Sequence, residues 1–176
     1  MNPRYVLLSS CLAVLAIIQP AQAQDQTGDE SSSLMLGTRL FETVCRASLG
    51  NPDEFHRLIA MTGLTKLLPD ESPEMETWTT SVGRVSVAVQ YTKTMACFVR
   101  MSHAKEADVQ RYVINAIKAV FREGGSTVTH PESESKDSSV LRFNVSGPKG
   151  NYMLMALYRP GVPSLDRSAL VIGPFK

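Results

Sequence analysis

The chain has 176 residues, a hydrophobic fraction of 43% and a formal net charge of +1. This length is enough for one domain with a hydrophobic core and is short for two. The near-neutral charge gives no electrostatic case for nucleic acid or an anionic membrane as a partner, so we predict neither.

The N-terminus has the three parts of a secretory signal peptide. Arg4 is the only charge before a largely apolar run of 13 residues, Val6 to Ile18, and Ala21-Gln22-Ala23 is an A-x-A cleavage pattern. A membrane anchor is the competing interpretation, but the run is shorter than the ~20 residues that span a bilayer. We therefore expect residues 1–23 to be removed by a cut between Ala23 and Gln24, which leaves no stable membrane anchor.

A second processing site overlaps the first. Leu8-Ser9-Ser10-Cys11 has the small-residue pattern of a bacterial lipoprotein site, which would make Cys11 a lipidated N-terminus. The apolar run continues past Cys11, where a lipoprotein would turn polar. Removal of Cys11 with the signal is the expectation, and its lipidation is the alternative.

The mature chain is expected to contain one disulfide. Cleavage after Ala23 leaves residues 24–176, with 17 basic and 17 acidic side chains and two cysteines, Cys45 and Cys97. An even number of cysteines in an exported chain predicts that they are bonded to each other. Both also lie on apolar stripes, which does not favour a free catalytic thiolate.

Two helices are predicted at the start of the mature chain. Residues 24–33 have three serines in a row and no apolar side chain, which predicts a disordered leader. From Leu34 onward, one helical face is marked by small and apolar residues at intervals of three and four. These residues are Gly37, Leu40, Phe41, Val44, Cys45 and Ser48. Asn51 and Pro52 then suit the N-cap and first turn of a second helix.

A β-hairpin is predicted over Arg84 to Met101. Valines alternate with small or polar residues in the first arm, and Cys97 shares one face with Met95, Val99 and Met101 in the second. We expect the bend at Tyr91 to Thr94. A bond from Cys97 to Cys45 would fix the first helix onto the inner face of this hairpin.

The remaining pattern predicts one long helix and four more strands. The helix covers about Glu106 to Arg122, and Tyr152 to Tyr158 is a strand that is apolar on both faces, so it should be central or covered on both sides. The other strands are expected at Thr127 to His130, Val140 to Ser146 and Ala169 to Ile172. The predicted fold is α+β, with a mainly antiparallel β-sheet, an N-terminal helical hairpin and one long helix packed on one face, in a single domain of residues 34–176.

No motif predicts catalytic, cofactor-binding or metal-binding residues, and we expect no cofactor. The sequence lacks C-x-x-C, G-x-S-x-G, H-E-x-x-H, a phosphate-binding loop and an EF-hand loop. Zinc binding by His56, His103 and His130 would have to be assembled by the fold, because no second ligand stands at helical spacing. The eight methionines are interpreted as core filler, with a copper site as the alternative, and Trp78 as a core anchor.

The first half of the chain resembles a group of known proteins. Phe41-x-x-x-Cys45 on an N-terminal helix, Trp78 opening the sheet and Cys97 on an early strand are similar to small exported proteobacterial proteins of unassigned function with one helix-to-strand cysteine pair. The resemblance covers Leu34 to Met101. It implies a periplasmic setting and one disulfide, and it implies no activity.

Two classes of function remain open. The first is a non-catalytic binding, inhibitory or accessory module whose partner is another envelope protein, for which an apolar patch rimmed by polar residues would be diagnostic. The second is a hydrolase with a site assembled from distant residues, for which Glu54 with His56, or His103 with Asp108, are the candidate pairs. A deep pocket with a shifted histidine or carboxylate beside a nucleophile would favour the hydrolase.

Overall fold

A computed structural model describes residues 22–67, 74–130, 139–148, 150–162 and 167–175. The three α-helices are Gln22–Leu40 (α1), Pro52–Ala60 (α2) and Glu106–Glu123 (α3), and a π-helical segment, Phe41–Arg46, continues α1. The strands are Thr65–Lys66 (β1), Met75–Val82 (β2), Val85–Thr92 (β3), Cys97–Met101 (β4), Thr127–Thr129 (β5), Ser139–Gly147 (β6), Gly150–Tyr158 (β7) and Ser168–Pro174 (β8).

The strands form one antiparallel sheet in the order β1-β2-β3-β4-β8-β7-β6-β5. Short turns join β2 to β3, β3 to β4 and β6 to β7, while the last strand, β8, lies between β4 and β7. The predicted α+β class with a mainly antiparallel sheet is confirmed. The two-residue strand β1 was not predicted, because two residues are too few to show an alternation.

The core lies between the helices and one face of the sheet. Val87, Val89, Val99 and Leu170 are fully buried there, where α1, the π-helical segment and α3 contact the central strands. The stripe predicted on the first helix is confirmed, since all six of its residues are buried. Helices therefore pack on one face of the sheet, as predicted.

A disulfide joins the π-helical segment to strand β4. Cys45 and Cys97 are bonded, with their Cα atoms 5.5 Å apart and 52 positions apart in the sequence. The predicted pairing is confirmed. The bond ties the first helical unit to the sheet beneath it, and the two side chains are almost fully buried.

Residues 24–33, which were predicted to be a disordered leader, are helical in the structure, where α1 begins at Gln22. Ser33 is fully buried, and Gly37 lies against Met101 of β4. Small side chains on one face let a polar helix lie close to the sheet, a contact that hydrophobic periodicity does not reveal. Lys105 also pairs with Glu30, which ties this part of α1 to the residue preceding α3.

Two local predictions are confirmed, one of them with a small shift. Asn51 caps α2 by accepting a hydrogen bond from the Glu54 backbone N–H at 3.1 Å. The bend of the β3–β4 hairpin lies two residues later than predicted, since Tyr91 pairs with Cys97. Met95 adopts φ 62° in this turn, a left-handed backbone conformation that is uncommon for a residue other than glycine.

Strand β7 was predicted to be central or covered on both sides. It is central in the sheet, and the described helices cover one of its two faces. It pairs with β6 and β8, and α3 is the helix that contacts it. Its other side chains face away from all the helices that the structure describes.

The predicted signal peptide, residues 1–23, lies outside the described residues except at the start of α1, and it stays a prediction together with the cut at Ala23. Cys11 lies outside them as well. Within the described part of the chain, no helix combines the length and apolar character needed to cross a bilayer.

Candidate functional site

The sheet has an apolar surface on the side away from the helices. The pairing registers place two adjacent rows of side chains across β3, β4, β8, β7 and β6 on that side. We call these ten residues the open face. Its first row is Gln90, Phe98, Val171, Met155 and Arg142, and its second row is Ala88, Arg100, Ala169, Leu157 and Val140.

Seven of the ten residues of the open face are apolar, and none is acidic. Three of the seven, Val171, Ala169 and Ala88, are buried, and the other four, Phe98, Val140, Met155 and Leu157, are half-buried. None of the seven belongs to the core between helices and sheet. The open face is thus a second apolar layer, and no helix in the described ranges lies on it.

Polar groups border the open face. The Gln90 side chain donates to Thr77 Oγ1 at 3.3 Å, and its buried Oε1 has no donor within the described part of the chain. Arg142 Nε donates to Asn144 Oδ1 at 3.1 Å on the other side. An apolar centre with a polar rim is the composition of protein interfaces.

A separate polar cluster joins α2 to strand β2. His56 Nε2 lies 3.0 Å from Glu76 Oε2, and Lys66 Nζ donates to the same oxygen at 3.2 Å. His56 and Glu76 border a cavity of about 210 Å³ that Tyr91 and Met95 also line. The Tyr91 ring stacks on Phe55, with 4.0 Å between the ring centroids.

The pKa of Glu76 in this cluster is shifted in the direction that an ion pair produces. Burial acts to raise the pKa of Glu76, but hydrogen bonds with His56 and Lys66 outweigh it and lower the pKa. Burial raises the pKa of Tyr91, so its hydroxyl stays protonated. The hydroxyl of Thr92, also on the cavity wall, is held by Thr94 and by the backbone of Ala96. No activated nucleophile therefore lines this cavity among the described residues.

Neither candidate catalytic pair is present in the described structure. Glu54 binds Arg57 through two hydrogen bonds of 2.6 and 2.8 Å instead of His56. Asp108 pairs with Arg111 at 3.2 Å, and His103 is exposed. The partner of His56 was missed because it lies 20 residues away on a strand, where helical spacing gives no signal.

A second network connects the π-helical segment to α3. The Tyr112 hydroxyl donates to Glu42 Oε1, and Arg46 Nη1 donates to the same carboxylate at 3.1 Å. Burial and the Glu42 carboxylate raise the pKa of Tyr112. A mainly apolar cavity of about 320 Å³ lies beyond Arg46, between the ends of the π-helical segment and α3 and the β6–β7 turn.

The histidines and methionines are dispersed over the fold. His56 binds Glu76, and the His130 ring is 2.6 Å from the Arg142 carbonyl oxygen. The described residues contain no group of three or more His, Cys, Asp or Glu placed to hold a metal ion. Of the methionines interpreted as core filler, Met101 is in the core, but Met61 is 74% exposed. Trp78 is buried in the core, as predicted.

Comparison with known proteins gives no relative: no family model, no curated protein and no solved structure matches the chain. Function is therefore argued from the geometry above.

Proposed function

We propose that this protein is an exported bacterial envelope protein of the periplasm that acts as a non-catalytic binding or accessory module and binds another envelope protein through the open face. The observation that carries the proposal is that the described helices pack on one side of the sheet, while four apolar side chains on the other side, Phe98, Val140, Met155 and Leu157, stay half-buried. Apolar side chains that are grouped and partly accessible provide an interaction surface.

The open face is smaller than a complete interface. At a strand spacing of about 4.8 Å and about 6.8 Å per two residues, ten residues cover roughly 330 Å² of the sheet. A specific interface buries about 800 Å² on each partner, with an apolar centre and a polar rim. The open face matches that centre, and Asn144 and Thr77 belong to the rim.

The polar clusters favour binding over hydrolysis. A general acid needs a carboxyl pKa raised towards neutrality, and the pKa of Glu76 is lowered. A tyrosine nucleophile needs a lowered pKa, and those of Tyr91 and Tyr112 are raised. Both clusters tie helices to other elements, which is a structural role.

Export is supported by the N-terminal pattern and by the disulfide, because such bonds persist in oxidising compartments. The test is the mass of the mature protein isolated from the periplasm. A chain that starts at Gln24 supports export with cleavage. A diacylglyceryl group on Cys11 would instead show that the module is anchored to the membrane by a lipid.

The binding surface is tested by site-specific photo-crosslinking in the periplasm. A photoreactive amino acid at Met155 of the open face should capture an envelope protein that mass spectrometry identifies. The same group at Ile114, on the outer side of α3, is the control and should not capture it. Adding Leu157→Asp to the protein that carries the photoreactive amino acid at position 155 should abolish the crosslinked product. Capture only from Ile114, or from neither position, would contradict the proposal.

A further inference from the structure

A mainly apolar cavity lies on the helix side of the sheet, opposite the open face. Its volume is about 320 Å³, and it lies between the end of the π-helical segment, the end of α3 and the β6–β7 turn. Ile172 of β8, Tyr152 of β7 and Val120 of α3 line it, and all three belong to the core. The half-buried Leu49 adds a further apolar wall. Core side chains therefore line this space without filling it.

The turns of the backbone keep the cavity open. Gly124, which follows α3, and Gly150, which begins β7, line it with φ angles of 75° and 98°. Residues other than glycine rarely adopt such angles, so neither position readily carries a side chain that could occupy the space. A Cβ atom at either position would meet nothing within 4 Å. Gly147 and Ser126 are two more small residues of the wall.

The charges beside the cavity are already engaged. Among the described residues, the charged side chains that line it are Arg46 and Glu123. Arg46 Nη1 donates to both carboxylate oxygens of Glu42, at 3.1 and 3.2 Å, and Glu123 also has an interaction within the chain. A charged ligand would lose hydration here without gaining a free counter-charge, which is costly. The chemistry of the wall therefore favours an uncharged molecule.

The volume indicates the size of the ligand. An apolar cavity of about 150 Å³ is large enough to bind benzene, and this cavity has about twice that volume. It is at the small end of ligand pockets, which start at about 300 Å³. The Ser126 hydroxyl has no hydrogen-bond partner in the part of the chain that the structure describes. It can donate to, or accept from, one polar group of a ligand.

We propose that this cavity is a binding site for an uncharged, mainly apolar small molecule of about the size of two fused rings. Contacts with Val120 and Ile172 would hold the rings, and a hydrogen bond with the Ser126 hydroxyl would orient them. A ligand that displaces poorly ordered water from an apolar wall gains affinity. The inference goes beyond the proposed function, because the site lies on the other side of the sheet from the open face and needs no partner protein.

The test compares three probes that share a two-ring framework. Naphthol is a phenol that is uncharged at neutral pH, naphthalene sulfonate is an anion, and naphthylmethylamine is a cation. Equilibrium dialysis against the purified protein measures the affinity and stoichiometry of each. We expect naphthol to bind at one site per chain and at least tenfold more tightly than either ion.

Variants that fill the cavity locate the site. Leu49→Trp and, separately, Val120→Phe add bulk to walls on different elements, and each should weaken naphthol binding at least tenfold. Ile114→Phe, on the outer side of α3, is the matched control and should leave the affinity unchanged. Circular dichroism and urea midpoints establish that each variant is folded, and either filling variant keeps the test valid if the other does not fold.

A change at Ser126 tests the orienting hydrogen bond. Ser126→Ala should weaken naphthol binding by roughly two- to tenfold, the range expected for one neutral hydrogen bond. The affinities of the two ions should not fall in the same proportion, because neither probe carries the hydroxyl that pairs with this side chain.

Three results would overturn the inference. They are the absence of saturable naphthol binding, an ion that binds as tightly as naphthol, and a naphthol affinity that folded filling variants retain. Loss of naphthol binding in Leu157→Asp would also overturn it, since the probe would then occupy the open face. If any of these occurs while crosslinking from Met155 still captures an envelope protein, the cavity inference fails and the proposed function stands. Naphthol binding that meets the expectations without that crosslink would leave the cavity site and remove the proposed function.

Discussion

Gly37 is where α1 passes closest to strand β4. A Cβ atom at this position would overlap Met101 Sδ and Cγ, and Met101 is fully buried, so its side chain has no free space to move into. The glycine is therefore required by a close approach of helix and sheet. Its place on the predicted stripe was visible in the sequence, but the identity of the facing residue depends on the packing.

We predict that Gly37→Ala lowers the free energy of unfolding by up to about 2 kcal/mol. Overpacking a core costs about 1–3 kcal/mol, and the better helix propensity of alanine returns about 1 kcal/mol. Urea denaturation measures the change. Gly28→Ala is the control, because nothing lies within 4 Å of its Cβ, and it should be neutral or stabilising by up to about 1 kcal/mol. Equal effects of the two changes would contradict the close approach.

The Glu76 carboxylate should make stability depend on pH. Its pKa is below the ordinary value of 4.5 in the folded state, so it stabilises the fold above that value and the contribution is lost as the pH falls through the folded pKa. We predict that Glu76→Gln is less stable than the wild type at neutral pH and that the difference shrinks towards zero in acid. Unfolding free energies between pH 7 and about pH 3 measure it. A difference that stays constant over this range would show that the ion pair is not its source.

At the scale of elements, the disulfide links the helical layer to the sheet covalently. It closes a loop of 52 positions between the π-helical segment and β4. Its two ends were predictable, because the cysteines lie on the apolar stripes of a helix and a strand. The π-helical geometry of Phe41–Arg46 was not predictable, because the pattern of apolar side chains over only six residues does not distinguish a π-helix from an α-helix.

We predict that replacing Cys45 and Cys97 together by alanine lowers the unfolding free energy by about 4 kcal/mol. This is the loop-closure entropy that a cross-link of this length removes from the unfolded chain. Urea denaturation with and without reductant measures it, and reductant should have no effect on the double variant. A wild type equally stable in reductant, or two reactive thiols in the unreduced unfolded chain, would contradict the stabilising role of the bond.

The limits of α1 show what element prediction misses. Residues 24–33 have no apolar side chain, so periodicity placed the start of the helix at Leu34. The structure extends the helix because Ser33 packs in a buried position and Glu30 pairs with Lys105. Lys105 is 75 positions from Glu30, and a local pattern contains no information about such a pair.

At the scale of the whole molecule, the layers follow from the order of the strands. The apolar character of β7 on both faces was visible in the sequence and correctly indicated a central strand. Which face the helices cover depends on how β8 enters between β4 and β7, and a strand pairing of this range has no local signature. The candidate site was missed for the same reason, because the open face combines residues from five strands.

We predict that neighbouring residues of β7 respond differently to truncation. Leu154 faces the helices and is 4% exposed, so Leu154→Ala should lower the unfolding free energy by about 2–5 kcal/mol. Met155 is on the open face, and Met155→Thr should change the unfolding free energy by less than about 1 kcal/mol. Chemical denaturation of both variants measures the contrast. Similar losses at the two positions would mean that the open face is covered within the folded monomer.

The position of β8 has a consequence for biosynthesis. Strands β1 to β4 and β5 to β7 make two separate ribbons, and the strand that joins them, β8, follows all of them in the chain. Until β8 has left the ribosome or a translocation channel, β4 and β7 present unpaired edges that can recruit other chains. A truncation before Ser168 should therefore yield two half-sheets prone to aggregate, and a chaperone that shields these edges would act before β8 emerges.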